Sequence, residues 1–309
     1  MSKSSGYMIV ADGRHGGLGH MSISLLYALF VALLTGRRFY CISLGWWFRV
    51  VITSDEFWNN TNSCLRPLKW EGNTDKLRIC KDNLFCFEQK QNPTSLKRQN
   101  VLFQDVRFYH NELETTWELR MLRNIGIASP ADSWMSLKRK ILRVVLNPSD
   151  ELTQVILQER KRIGPAEYQV GVHIRCAGKL SDYKESVRMV TVEQIPQFRF
   201  FAKQILKSIA SKQRYVFLTT DSTYAENHFK KGMGDAKAIT FSGYKRGHTN
   251  SKRVTDLSFK RSLVDLYLLV QSKMLVLTSK SGYSRIARIM SKAGKVRNIH
   301  VSYHCVCLF

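Results

Sequence analysis

Residues 171–179 read GVHIRCAGK, an apolar segment that stops at an arginine and then turns through a glycine. The apolar run has the length of a buried strand, which we predict over residues 168–175. Arg175 at the end of such a strand would cost several kcal/mol if it were desolvated without a partner. It must therefore meet a protein carboxylate or an anionic ligand. Because no acid lies beside it before Asp182, we favour a phosphate, which a guanidinium binds bidentately.

The chain after residue 163 alternates between strand and helix patterns. Strands are expected at 168–175, 214–219, 237–241, 273–278 and 297–302, and helices at 192–210, 222–231, 256–272 and 282–293. This alternation implies a parallel sheet covered by helices on both faces, with its ligand site beyond the carboxyl ends of the strands. We therefore expect the chemistry at Arg175, at Thr220-Asp221 and at residues 278–281.

The N-terminal part begins with a strand, a glycine turn and a helix. The strand is predicted over residues 7–11, the helix over about 21–34 and the next strand over 38–43, which is the start of a Rossmann-type layer. Residues 45–100 show weak periodicity and are expected to form irregular loops, whereas residues 110–162 have a mainly helical pattern.

The break Ile163-Gly164-Pro165 is the predicted domain boundary. It separates an N-terminal Rossmann-like domain, residues 1–163, from a C-terminal Rossmann-like domain, residues 164–309. The length of the chain agrees with two packed cores of this size.

Two further motifs lie at predicted strand-to-helix turns. HGGLGH, residues 15–20, matches neither the dinucleotide fingerprint nor the P-loop. It is either a tight turn or a place where a ligand approaches the backbone of Gly16, Gly17 and Gly19 closely. SKSGYSR, residues 279–285, places serine hydroxyls and free backbone N–H groups at a helix start. Ser281 there is an N-cap, a phosphate ligand, or both, because the two roles use the same geometry.

Composition narrows the class of partner without choosing it. The formal charge of +24 favours polyanions, which include nucleic acid, anionic lipid, acidic glycans and nucleotide diphosphates. The seven cysteines have no spacing that builds a zinc site. No Asp-x-Asp occurs either, which argues against a protein that holds a sugar nucleotide through a divalent metal ion. The apolar run at residues 21–34 is too short to span a membrane, so no transmembrane segment is predicted.

These motifs, in this order, resemble the fucosyltransferases of the GT-B superfamily, which include the α1,6-fucosyltransferases with the bacterial nodulation enzymes, the protein O-fucosyltransferases and the plant xyloglucan type. HGGLGH is similar to the first glycine loop, GVHIR to the HxRR motif and FLTTDS to the central strand-to-aspartate element. The segment at 263–290 is similar to the last motif, in which an aspartate precedes a serine phosphate cradle. The resemblance extends across most of the chain.

The resemblance implies a GT-B fold, with two Rossmann-like domains facing a cleft, of which the N-terminal domain would face the acceptor and the C-terminal domain would bind the nucleotide sugar. It also implies inverting, metal-independent transfer of fucose from GDP-fucose to a glycan or protein hydroxyl. Arg175 would bind the β-phosphate and stabilise GDP as it leaves, His173 and Asp265 would contact the guanosine, and Ser281 would hold the diphosphate. The wider set of donor-binding residues expected is Gly17, Gly19, His20, His173, Arg175, Lys179, Asp221, Asp265, Ser281, Gly282 and Tyr283. No cofactor is expected.

The sequence departs from the family pattern at three positions. Cys176 replaces the second arginine, Lys280 stands where a serine is common, and His20 stands where an asparagine is usual. Lys179 and Lys280 are candidates to replace the missing charge. The general base that the resemblance implies lies in the loop after the strand, at Asp182 or Glu185, so the catalytic candidates are these two acids and Arg175.

Two alternatives remain open from the sequence. Cys176 and His20 favour a catalytically impaired homologue that binds a GDP-sugar or glycan, and the +24 charge alone favours a polyanion-binding protein.

The acceptor is a glycan or glycoprotein of unspecified identity, and no specific nucleic acid is expected. The location is expected to be cytoplasmic if the chain is complete and the Golgi or ER lumen if an N-terminal anchor is missing.

Overall fold

The computed structural model divides the chain into two compact units, Met1–Ser149 and Asp150–Phe309, and each contains a five-stranded parallel sheet. The division precedes the helix Asp150–Ile163, whereas the boundary predicted from the sequence follows this helix. The structure describes residues 8–12, 17–19, 22–23, 26, 38–42, 68–69, 78–80, 101–103, 119–120, 123–124, 126, 128–163, 170–182, 189–209, 215–247, 256–291 and 295–299.

The first unit has the strand order β3-β2-β1-β5-β4. The strands are β1 (Met8–Asp12), β2 (Arg38–Ile42), β3 (Leu68–Lys69), β4 (Arg78–Cys80) and β5 (Val101–Phe103). The first two strands confirm the sequence prediction. The expectation that the region 45–100 contains only irregular loops was wrong, because β3 and β4 lie in it. Strands of two or three residues are too short to show an alternating pattern.

The helix that follows β1 starts earlier than predicted. Leu18, Gly19, Ser22, Ile23 and Leu26 are helical and buried, so the helix is already formed at Leu18 rather than at Met21. The apolar residues 25, 28, 29, 32 and 33, whose helical spacing indicates the core-facing side of this helix, lie outside the described residues. The helix α1 (Trp134–Val145) completes the described elements of this unit.

The second unit confirms the predicted alternation. Its helices are α2 (Asp150–Ile163), α3 (Ile195–Ser208), α4 (Thr223–Lys231), α5 (Asp256–Leu269) and α6 (Gly282–Met290). Its strands are β6 (Val170–Ile174), β7 (Tyr215–Thr220), β8 (Lys237–Ile239), β9 (Met274–Thr278) and β10 (Lys295–Ile299). Helix α2 belongs to this unit because it packs against α5, where Lys260 Nζ lies 2.6 Å from Glu151 Oε1.

The strand order of the second sheet is β10-β9-β6-β7-β8. The chain runs outward from β6 through β7 to β8, then crosses back and continues through β9 to β10. The order therefore reverses between β6 and β9, and in open parallel sheets ligands bind at such a reversal, beyond the carboxyl ends of the strands. Arg175 and Ser279 follow these two strands directly.

Helix α3 covers one face of this sheet with an apolar stripe. Ile195, Phe198, Ala202 and Leu206 are buried at helical spacing and pack into a core with the side chains of β6 and β7. Thr191 and Gln194 form a capping box just before this helix. Within the part of the chain that the structure describes, no helix is long and apolar enough to cross a bilayer.

Gly171 sets how closely helix α5 approaches β6. A Cβ at this position would lie 2.5 Å from Ser272 Oγ and 2.9 Å from both Leu269 Cδ1 and Leu275 Cδ2. We expect Gly171→Ala to lower the free energy of unfolding by about 1–3 kcal/mol, the usual cost of overpacking a core. Urea denaturation measures this loss.

Gly234→Ala is the control for this substitution. Its added methyl meets nothing within 4 Å, but its φ of +64° disfavours a side chain. It therefore reports the backbone cost of replacing a glycine, about 1 kcal/mol, without a clash. Equal stability of Gly171→Ala and the wild-type protein would contradict the tight packing described here.

Candidate functional site

The polar residues predicted from the sequence converge at the carboxyl edge of the second sheet. Arg175 follows β6, Asp221 follows β7, and Ser279 to Ser281 follow β9. Because β6 lies between β7 and β9, both flanking strands bring side chains to the turn after β6. That turn is the centre of the candidate site.

Arg175 is paired with Asp221. Its Nη1 atom lies 2.8 Å from Asp221 Oδ2, and the two side chains are 18% and 7% exposed. Of the two kinds of partner expected for Arg175, the structure therefore supplies a protein carboxylate, whereas the sequence favoured a phosphate. The sequence did not reveal this pair because Asp221 follows the neighbouring strand β7, 46 residues further along the chain. A guanidinium has donors on several edges, so this ion pair does not by itself prevent an anion from binding.

The turn after β6 is held in a strained conformation. The backbone N–H groups of Cys176 and Ala177 donate to Asp221 at 2.7 and 2.9 Å. Ala177 has φ 51° and ψ −176°, a region that is normally restricted to glycine and costs about 1–3 kcal/mol, and Gly178 follows with φ 57°. Such strain persists only where the surrounding structure enforces it, and it is concentrated at functional sites.

Cys176 points into the core. Its side chain is fully buried among apolar residues of β6, β7 and α3. Burial, reinforced by the negative charge of Asp221, raises the pKa of the thiol to about 12, so the thiol stays protonated. The Cys176 side chain therefore does not reach the surface of the site.

His173 lies on β6, two residues before Arg175, and is buried. Its Nδ1 atom is 2.7 Å from Ser284 Oγ, and its ring packs on Tyr283 with a centroid distance of 4.7 Å. Burial, with a smaller contribution from the charge of Arg175, lowers the pKa of His173 to about 3. The imidazole is therefore neutral at physiological pH, with one ring nitrogen as a hydrogen-bond donor and the other as an acceptor.

Asp265 on α5 is a buried carboxylate with one unsatisfied oxygen. Its Oδ2 accepts from Arg261 Nε at 3.3 Å, whereas its Oδ1 is buried and has no hydrogen-bond partner among the described residues. Burial outweighs the attraction of Arg261 and Arg246 and raises the pKa of Asp265 to about 6. Thr219 on β7 lies beside both Asp265 and Tyr283, and it is the register partner of His173.

Helix α6 presents its N-terminus at the same edge. Ser281 is its N-cap and accepts a hydrogen bond from the backbone N–H of Ser284 at 3.4 Å. Lys280, which is exposed, turns the chain with φ 60°. Gly282 and Tyr283 form the first turn, where the positive end of the helix dipole favours an anion. The Tyr283 hydroxyl donates to the Ser262 carbonyl at 2.9 Å, and burial raises its pKa well above the ordinary value.

Asp182 stabilises the start of α4. Its carboxylate accepts from the backbone N–H and the hydroxyl of Thr223, both at 2.7 Å, and pairs with Arg246 Nη1 at 3.3 Å. Burial alone would raise the pKa of Asp182, but the bonds from Thr223 and Arg246 outweigh burial and lower it. A carboxylate with a lowered pKa is a weak proton acceptor, so this geometry favours a structural role for the predicted base.

Two arginines of this region were not among the site residues predicted from the sequence. Arg246 pairs with Asp182 and Glu226, and Arg261 donates to the carbonyls of Phe241 and Tyr244 as well as to Asp265. Both lie in or contact the segment 241–247. Their positions in the sequence do not indicate a role in the site, because only the folded chain brings them to the carboxylates of Asp182, Glu226 and Asp265.

The remaining predicted residues fall into two groups. Lys179 is exposed in the short turn Gly178–Leu180, and Gly17 and Gly19 lie in the first unit, at the start of the helix after β1. His20 and Glu185 lie outside the described residues. No group of three His, Cys, Asp or Glu side chains among the residues that the structure describes is placed to hold a metal ion.

The fold was compared with known proteins. No family model matches the chain, and no curated protein matches it in sequence. Among solved structures, it resembles a mutant of Arabidopsis thaliana FUT1 in complex with GDP, with a TM-score of 0.58 and 12% identity over 97% of this chain and 71% of that one.

Two other solved structures are similar over most of both chains. POFUT1 in complex with GDP has a TM-score of 0.51 and 12% identity over 96% of this chain and 99% of that chain. The α-1,6-fucosyltransferase NodZ soaked with GDP-fucose has a TM-score of 0.50 and 15% identity over 91% and 92%. The α/β architecture of this chain, with its two parallel sheets, is therefore the GT-B fold that these fucosyltransferases share.

Proposed function

We propose that this protein is an inverting, metal-independent glycosyltransferase that moves fucose from GDP-fucose to a hydroxyl of a glycan or a protein. The observation that carries the proposal is the convergence of Arg175, the N-terminus of α6 and the buried His173 and Asp265 at the reversal point of a parallel sheet. The solved structures of the same fold that contain GDP or GDP-fucose support this choice of donor.

Two parts of a GDP-sugar, the guanine base and the diphosphate, have matching groups at this edge. The guanine base carries N–H donors, and the Oδ1 atom of Asp265 is a buried acceptor without a partner among the described residues. That oxygen is covered in this conformation, so a base that reaches it must displace the residues over it. The first turn of α6, with Ser281, Gly282 and Tyr283, offers backbone N–H groups to the diphosphate.

Arg175 would stabilise the leaving group. When the sugar is transferred, the bond between its anomeric carbon and the β-phosphate oxygen breaks, and negative charge develops on GDP. A guanidinium and helix N-terminal N–H groups that are already in place stabilise that charge without reorganisation. The acceptor hydroxyl attacks from the opposite face and must lose its proton, for which Asp182 is a poor acceptor in the observed geometry.

A second candidate function follows from the poor ability of Asp182 to accept the proton of the acceptor hydroxyl. The buried Cys176 and the hydrogen-bonded Asp182 favour a homologue that binds a GDP-sugar without transferring it. The two functions differ in turnover. Measuring GDP release in the presence of glycan and peptide acceptors distinguishes them, because the binding-only protein would be stabilised by GDP-fucose but would release no GDP.

A donor panel tests the choice of nucleotide sugar. We expect GDP-fucose at about 100 times its Kd to stabilise the protein by about 2.7 kcal/mol, which corresponds to a rise of roughly 5–10 °C in Tm for a domain of this size. UDP-glucose, UDP-galactose and ADP-ribose should leave Tm unchanged. A larger shift with a UDP-sugar than with GDP-fucose would overturn the proposed donor.

A further inference from the structure

The carboxylate of Asp221 was expected to bind the donor, but its contacts point to a different role. Both of its oxygens accept hydrogen bonds from the turn after β6, at 2.8 Å from Arg175, 2.7 Å from Cys176 and 2.9 Å from Ala177. The residue is 8% exposed and carries the same sign of charge as a diphosphate. A direct contact between two anions is unfavourable, so a role as a ligand of the phosphates does not fit.

The backbone around Arg175 is held from both neighbouring strands. The Arg175 N–H donates to Thr278 Oγ1 at 3.0 Å, and the same hydroxyl donates to the His173 carbonyl at 2.9 Å, which ties β6 to the end of β9. The Arg175 carbonyl accepts from the Val190 N–H at 3.1 Å. Asp221 closes the other side from the end of β7, so the main chain at Arg175 has little freedom to move.

Ala177 shows that this hold is strong enough to impose an unfavourable conformation. Its φ of 51° is disfavoured for a residue with a side chain, and its N–H is the group that Asp221 Oδ2 binds. The same oxygen also binds Nη1 of Arg175. One carboxylate therefore fixes the direction of the guanidinium and the shape of the turn together.

We propose that Asp221 is a positioning residue, which orients the Arg175 guanidinium toward the phosphates of the nucleotide and holds the strained turn at Ala177, and is not itself a ligand of the donor. This inference rests on the proposed function for the identity of the nucleotide. It makes a prediction about the sign of a mutational effect. Simple Coulomb repulsion predicts that removing the charge of Asp221 tightens GDP binding, whereas loss of positioning weakens it.

The experiment is isothermal titration calorimetry of GDP and of guanosine with the full chain and its Asp221→Asn variant. We expect GDP to bind at least tenfold more weakly to the variant, while the affinity for guanosine, which has no phosphate, changes by less than about twofold. Asp235→Asn is the matched control, because this acid is exposed in the loop before β8, at the opposite edge of the sheet, and the substitution removes the same charge.

A double-mutant cycle links the effect to Arg175. If Asp221 acts through Arg175, GDP should bind about as weakly to the double variant Arg175→Gln and Asp221→Asn as to Arg175→Gln alone. Tighter GDP binding to Asp221→Asn, or losses that add in the double variant, would overturn the positioning role. Equal losses for GDP and guanosine would also overturn it, since they would indicate a general disturbance of the fold.

A ligand-free measurement separates this inference from the proposed function. Amide hydrogen exchange at Cys176 and Ala177 should accelerate at least tenfold in Asp221→Asn and remain unchanged in Asp235→Asn. If the wild-type protein does not bind GDP, the proposed function fails, and the exchange rates still decide whether Asp221 holds the turn. Unchanged exchange at both amides would refute the inference whatever the nucleotide result.

Discussion

Replacing Arg175 by alanine is expected to reduce turnover of the proposed donor, GDP-fucose, by about 10²–10³-fold. Removing one preorganised donor from a site that stabilises developing negative charge has an effect of this size, because the lost interaction is stronger in the transition state than in the ground state. The loss of ground-state GDP affinity should be smaller, about 10–100-fold, as charge-assisted hydrogen bonds contribute roughly 1.5–3 kcal/mol. Steady-state kinetics and calorimetry measure the two effects separately.

The same substitution removes the partner of a largely buried carboxylate. Asp221 would keep its bonds to the N–H groups of Cys176 and Ala177, so we expect a partial loss of stability rather than unfolding. Arg175→Lys serves as a second variant, because lysine keeps the charge but loses the planar fork. If positive charge alone is sufficient, Arg175→Lys will retain most of the activity.

Arg288→Ala is the matched control for Arg175→Ala. Arg288 is exposed in the last turn of α6, away from the N-terminus of that helix, and its removal changes the net charge by the same amount. We expect its GDP affinity and turnover to remain within about twofold of the wild-type values. Undiminished turnover in Arg175→Ala would refute the proposed mechanism.

Replacing Asp265 by asparagine is expected to stabilise the protein at neutral pH and to abolish guanine recognition. The pKa of Asp265 is raised from 3.8 to about 6 by burial, so the folded state binds its proton more tightly than the unfolded state does. The stability that this proton provides is fully present below about pH 4 and is lost as the pH rises through 6. The two pKa values differ by about 2, which corresponds to about 3 kcal/mol.

The amide side chain of the Asp265→Asn variant would remain neutral at every pH and would resemble the protonated aspartic acid. The difference in the free energy of unfolding between the variant and the wild-type protein should therefore be close to zero at about pH 4 and should approach about 3 kcal/mol in favour of the variant at about pH 7.5. Urea denaturation at several pH values measures it. Taking the difference between the two proteins removes the contributions of the other titrating groups.

The nucleotide affinity should change in the opposite direction. The N–H groups of guanine require the carboxylate acceptor, and an amide would offer its own donor to one of them, so GDP should bind about 100-fold more weakly to the variant. The preference for GDP over ADP that the proposed function predicts for the wild-type protein should also disappear. A variant that is more stable at neutral pH and still binds GDP normally would exclude Asp265 from the guanine site.

The order of strands and helices in the second unit was predictable from the sequence alone. The buried positions of a helix or a strand recur at a fixed spacing along the sequence, which makes the element recognisable. Each element predicted after residue 163 corresponds to an observed one, and their ends differ by a few residues. The strand-to-helix turns at Arg175 and Ser281 were equally predictable, because polar residues end apolar runs. The short strands β3 and β4 were not, since two or three residues do not show a period.

The partners of the charged groups were decided by the tertiary structure. The local sequence around Arg175 contains no acid, and only the register of β6 and β7 brings Asp221 to its guanidinium. Asp182 was a candidate base from its position in a loop, but the fold places Thr223 and Arg246 on its oxygens. Burial of Asp265 is likewise a property of how α5 packs on the sheet.

The sequence by itself determined where polar side chains leave the sheet, because that depends on the local pattern of apolar residues. It also indicated the fold, because the alternation of strands and helices permits few topologies. Only the tertiary structure decided which of those side chains are neutralised, which are buried without a partner and which turn is strained. Those properties depend on distances between residues that are remote in the chain, and a carboxylate such as Asp221 acquires its role only from the neighbouring strand that it faces.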